Sequence, residues 1–212
     1  MARGIRYYKT ERLGALSDGV FAIVLTLLVL ELQIPNQAEV TASAWSAVNE
    51  NWHELIGWVV SFIVLARMWA IHHDTFSSLK RVSSQTILIN FIFLATISLI
   101  PFAAKFVGFY EFSGPSATIV FSTMLALTGF TLGWVISAAE ADARLHQKVN
   151  EKWSWRVRHH LLLLPAVAGL AILGALLHPA LGLAILATEA VVAIVILFSS
   201  GEDSELEPES IK

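Results

Sequence analysis

Residues 12–35 read RLGALSDGVFAIVLTLLVLELQIP. Between Asp18 and Glu31 there is no charge, and the apolar run continues through Leu32 and Ile34. A hydrocarbon core about 30 Å thick needs about 20 apolar residues of helix, so Leu13–Ile34 reads as a transmembrane segment. Before it, Met1 to Glu11 carries Arg3, Arg6 and Lys9. A signal peptide would have a shorter apolar core and a small-residue cleavage site, so the segment is expected to be retained.

Five further stretches extend the pattern: Trp52–Ile71, Thr86–Phe106, Ala117–Ala139, Leu161–Leu177 and Ala180–Phe198. Only His178-Pro179 separates the last two, which implies either a tight hairpin of two helices or one long broken helix. The expected fold is therefore an all-α polytopic membrane protein with six transmembrane helices. Composition agrees, since 56% of the 212 residues are hydrophobic and 15% are charged, against about 25% charged in soluble domains. Net charge is −3, so nothing points to a nucleic-acid partner. With no cysteine, disulfides, thiol catalysis and Cys-based metal sites are excluded.

Of the 14 Lys and Arg residues, all but Arg67 and Lys105 fall in one alternating set of segments. These are the N-terminus, the Lys80-Arg81 connection, the Arg144–Arg158 connection and Lys212. By the positive-inside rule both termini are cytoplasmic. Trp45, Trp52 and Trp58 near one interface, and Trp153 and Trp155 near the other, fit aromatic belts. Residues 1–200 form the expected six-helix domain. The acidic residues 201–212 form a tail expected to be disordered and cytoplasmic.

On the first helix Ile23, Leu27 and Leu30 share a narrow stripe at 100° per residue. The stripe admits two readings: packing against neighbouring helices or lipid, or rings around the axis of a symmetric oligomer that close a pore by dewetting. Ser17-Asp18 can cap a helical start, and Arg12 can snorkel to the interface. A carboxylate at membrane depth nevertheless needs a partner, which applies to Asp18. Thr26 can return its hydroxyl to the Ala22 carbonyl, or offer oxygen to a dehydrating cation. Glu31 raises the question of a solvated mouth.

On the second helix Trp69 and His72 lie three apart, beside Arg67 and His73, so a buried cluster with the first helix competes with an interfacial belt of solvated side chains. Adjacent histidines on a helix diverge by about 100°, which disfavours a metal site. Asn90 on the third helix can bond to a neighbouring helix, and Pro101 kinks or ends that helix. Val107-Gly108-Phe109-Tyr110 lacks the leading threonine and second glycine of a carbonyl-lined potassium filter, so no such filter is read there.

The run Arg12-x-x-x-Leu16-Ser17-Asp18, followed by Ala22-Ile23, Thr26-Leu27-Leu28 and an acidic-apolar stretch ending at Pro35, resembles the transmembrane protein 175 family of potassium channels. That family's signature is Arg-x-x-x-Phe-Ser-Asp, and Leu16 replaces its phenylalanine. Trp69-x-x-His72, and Asn90 with Ile100-Pro101-Phe102, resemble it too. The resemblance implies a potassium-permeable channel with no re-entrant filter loop, the first helices lining the pore of a homotetramer. It implies a hydrophobic gate at Ile23, further rings at Leu27 and Leu30, and selectivity or ion coordination at Thr26. Arg12, Ser17, Asp18, Trp69, His72 and Asn90 become the supporting polar network. The expected partners are lipid and permeant potassium, with no cofactor and no resident metal, in a prokaryotic plasma membrane. The competing class is a proton- or cation-coupled secondary transporter, against which the absence of a clear internal repeat counts. A membrane-embedded enzyme lacks a convergent catalytic set, so no enzymatic activity is expected.

Overall fold

A computed structural model describes residues 6–32, 45, 52–110, 114–146 and 151–202. Side-chain surroundings are described for these except at 52–53, 56, 108–109, 144–146, 151–162 and 196–202. The elements in chain order are β1 (Tyr7–Lys9), α1 (Glu11–Leu30), α2 (Trp52–Ser77), β2 (Arg81–Ser83), α3 (Ser84–Ser98), α4 (Ile100–Tyr110), α5 (Ser116–His146), α6 (Glu151–Leu177) and α7 (Pro179–Glu202).

The apolar stretches fold as helices, with boundaries moved for identifiable reasons. Most helices run beyond their apolar stretch, as α5 does past Ala139 and α6 does before Leu161. Hydropathy marks only the apolar portion, whereas a helix continues until its backbone groups find other partners. The first helix ends earlier than expected, at Leu30, where the Glu31 N–H turns back to the Leu28 carbonyl. Residues 33 and 34 lie outside the described part. The third stretch is broken at Leu99 into α3 and α4. Pro101 is thereby the second residue of α4, where a missing N–H is harmless. α6 and α7 are separate helices joined at His178, the hairpin alternative. Among the described residues, three segments are long and apolar enough to cross a membrane: Glu11–Leu30, Ser84–Val107 and Ser116–Ala143. Leu163–Leu177 and Pro179–Val195 are shorter apolar helices.

α5 packs along α3 and α6, and α6 along α7, while α1 lies chiefly against α2. Phe21, Leu65, Phe93, Ile97, Leu125 and Leu132 form part of the buried core. In lipid such burial exchanges one apolar contact for another, so close fit matters more than area removed from water. Gly182 illustrates that fit, because a Cβ there would lie 2.7 Å from the Ala171 carbonyl oxygen, 2.8 Å from the Ala175 Cβ and 2.9 Å from the Thr118 Cγ2. Gly129 similarly admits Pro165, whose Cγ and Cδ would stand 3.1 Å from an added Cβ.

A two-stranded antiparallel ribbon lies beside the helices. Tyr7, Tyr8 and Lys9 pair with Ser83, Val82 and Arg81. Three residues per strand are too few for alternation to reveal them in the sequence.

Candidate functional site

α1 has a buried face and an exposed one. Leu13, Ser17, Phe21, Val24 and Leu28 are buried against the rest of the chain. About 110° round the helix stand Leu16, Ile23, Leu27 and Leu30, exposed by 44%, 61%, 40% and 72%. The stripe of Ile23, Leu27 and Leu30 therefore does not pack into this chain's own core, leaving lipid, another copy or a pore as its environment. Arg12 is exposed on the same side.

Thr26 is exposed, and its hydroxyl lies 3.1 Å from the Ala22 carbonyl and 2.8 Å from that of Ile23. The back-bonding geometry is thus present. A hydroxyl has one proton and two lone pairs, so this bond leaves the oxygen able to accept a cation.

Behind the stripe, α1 is held by a buried polar chain. The Ser17 hydroxyl donates to the Leu13 carbonyl at 2.9 Å, and Asn90 Nδ2 donates to Ser17 Oγ at 3.1 Å. His72 Nε2 lies 2.7 Å from Asn90 Oδ1. An amide oxygen only accepts, so His72 donates from Nε2. Ser17, His72 and Asn90 are all buried, and the His72 ring stacks on Phe76 and Phe93 with centroids 4.4 and 5.6 Å away. A solvated-belt reading of His72 is therefore wrong.

A second set lies beside it on another side of α1. Asp18 Oδ1 accepts from Trp69 Nε1 at 2.8 Å and stands 3.6 Å from His73 Nδ1. Trp69 and His72 thus hydrogen-bond to different elements, α1 and α3, although three residues apart on α2, and the His72 ring also lies 5.9 Å from that of Phe21 on α1. Asp18 and His73 border a cavity of about 750 Å³ with Lys9, Lys80 and Arg81 on its rim. Arg12 joins neither set. Among the described residues, no three His, Asp or Glu side chains converge to hold a metal ion.

Three polar contacts escaped sequence reasoning. Arg67 on α2 and Glu189 on α7 form a buried ion pair, with side chains 5% and 1% exposed. The available signal was that each is a charge within an apolar helix, where charges pair. Asp142 on α5 is buried and accepts from the Ser83 N–H and the Thr86 hydroxyl, each at 2.7 Å. Nothing in its local sequence distinguishes it from a solvated helix-end carboxylate. At the opposite end of α1, Lys105 Nζ lies 3.1 Å from Glu31 Oε2, so Glu31 is partnered.

The family profile described as "Endosomal/lysosomal potassium channel TMEM175" matches residues 12–101. A Streptomyces collinus protein named as a potassium channel is 34% identical over 102 residues. That match covers 48% of this chain and 49% of the relative, so the chain spans about half the length of that protein. A Chamaesiphon minutus protein, also named as a potassium channel, is 32% identical over 147 residues, covering 67% of this chain and 72% of its own. A crystal structure described as a lysosomal potassium-selective channel TMEM175 homolog from Chamaesiphon minutus superposes with a TM-score of 0.76. The superposition covers 88% of this chain and 96% of that one, at 23% identity, and the likeness is one of fold.

Proposed function

This chain belongs to the TMEM175 family, and on that premise we propose that it is a potassium-permeable channel conducting passively through a fourfold pore. The observation that carries the reading is the uncovered apolar stripe of α1, backed on its buried side by the Ser17–Asn90–His72 chain. A stripe of Ile23, Leu27 and Leu30 that finds no partner in its own chain gains one when copies surround an axis. Rings of such residues form a narrow neck from which water withdraws, which is a gate that needs no re-entrant loop. Thr26, one turn from Ile23, keeps an oxygen lone pair for a cation losing its hydration. No cofactor enters this mechanism, and potassium is the permeant species.

The accompanying architecture is six spans, formed by α1, α2, α3 with α4, α5, α6 and α7. Both termini are cytoplasmic by the distribution of Lys and Arg. Four copies assemble in a prokaryotic plasma membrane.

Purified protein in planar bilayers tests the reading. Unitary currents whose reversal potential follows the potassium gradient are expected, and saturable flux without unitary events would overturn it. Ile23→Asn is expected to wet the neck and raise unitary conductance or weaken selectivity. If Ile23→Asn and Leu27→Asn both leave conduction unaltered, α1 does not line the path.

A further inference from the structure

Thr10 occupies the N-cap position of α1, yet its side chain makes no capping bond. Its hydroxyl instead donates to the Leu79 carbonyl, in the turn between α2 and β2. Just before it, β1 pairs with β2 over three residues, and the Arg6 carbonyl accepts from the Ser84 N–H at 3.0 Å. The N-terminal end of α1 is therefore fastened to the connection between α2 and α3. That connection is fastened in turn to α5. Asp142, 6% exposed, accepts both of its bonds, from Ser83 N–H and Thr86 Oγ1, on one oxygen, Oδ2. Ser83 is also the ladder partner of Tyr7, so through one residue the carboxylate on α5 reaches β1, three residues before the N-cap of α1.

We propose that Asp142 is a positioning residue for conduction: through Ser83 and the β1–β2 ribbon it sets where the N-terminal end of α1 stands relative to the pore axis. This rests on the reading of α1 as the pore helix. Four apolar stripes gain by meeting, because closure of the neck removes apolar surface from water. An anchor on each N-terminal end opposes that closure. Slackening the anchor lowers the open probability, while Ile23 and Thr26, and with them the unitary conductance, stay as they were.

Asp142→Leu removes both bonds, and Thr10→Val removes the clamp on Leu79. Each is expected to lower open probability about fivefold or more, within the usual range of coupling between sites, with unitary conductance and reversal potential unchanged. Asp142→Asn keeps an amide oxygen able to take both bonds and is expected to stay within about twofold of the parent protein. The two deleting changes slacken one anchor without touching each other. Their combination should therefore fall within about twofold of the worse single variant, whereas independent effects multiply. Multiplying effects, a reduced unitary conductance, or an unchanged open probability overturns the proposal. If Asp142→Leu does not assemble, Thr86→Val, which removes one of the two donors, takes its place in the same comparison. A parent protein with no unitary current refutes the pore reading instead. Amide hydrogen exchange then decides the anchor: Asp142→Leu should speed exchange in Tyr7–Lys9 and the first turn of α1, and unchanged protection overturns it.

Discussion

Within α3, Asn90 satisfies its carbonyl oxygen with His72 and its amide with Ser17, although Ser17 lies 73 residues away in sequence. Asn90→Ala leaves the buried His72 Nε2–H without its partner, at about 1–3 kcal/mol for an unsatisfied group, while the Ser17 hydroxyl keeps its bond to the Leu13 carbonyl. A lowered midpoint in detergent thermal unfolding is expected, and an unchanged midpoint would mean that the chain of bonds carries no stability. Arg67 and Glu189 give the complementary case. Arg67→Met alone strands a buried carboxylate and should cost about 3–5 kcal/mol, whereas Arg67→Met with Glu189→Leu should recover most of it. Unfolding of the three variants side by side measures the difference, and a double variant as unstable as the single one would contradict it. At this scale the sequence was legible only in part. Asn90 was readable as a polar residue in an apolar run that needs a partner, but its partners come from distant segments that local spacing does not encode. Asp18 found Trp69, as the need for a partner suggested. Arg12 found a place on the exposed side, because its position on the helix turns it away from both polar sets.

Helix against helix, the tolerances are set by small residues. The α6–α7 hairpin crosses α5 where Gly182 meets Ala171, Ala175 and Thr118, and a larger residue has nowhere to go. Gly182→Val should force the hairpin outward and cost about 1–3 kcal/mol, the usual range for overpacking. A fall in thermal stability checks this, and an unchanged midpoint would show that the hairpin repacks freely. The helices themselves were legible because long apolar runs have few alternatives in a bilayer. Their ends were less so, as at Leu30, where the backbone stops following the helix four residues before the apolar run does. The β1–β2 ribbon was hidden because its pairing depends on the α2–α3 connection approaching the N-terminal segment. The stripe on α1 followed from spacing, since residues three and four apart share a face as Ile23, Leu27 and Leu30 do, but its exposure did not. Which face meets the core was set by Phe21, Val24 and Leu28, which are no less apolar than the stripe.

For the whole molecule, four copies of the 23.3 kDa chain are expected in detergent, and a mass of one chain would refute a pore built from α1 of several copies. The buried pair of Arg67 and Glu189 bears on how such a molecule is made. Its members are 122 residues apart. At synthesis rates of about 5–20 residues per second, the ribosome supplies the glutamate roughly 6–24 s after the arginine. During that interval α2 lacks the carboxylate that α7 supplies in the finished fold. A chain that stops before α7 is therefore expected to meet the bilayer without the ion pair that the finished fold gives Arg67.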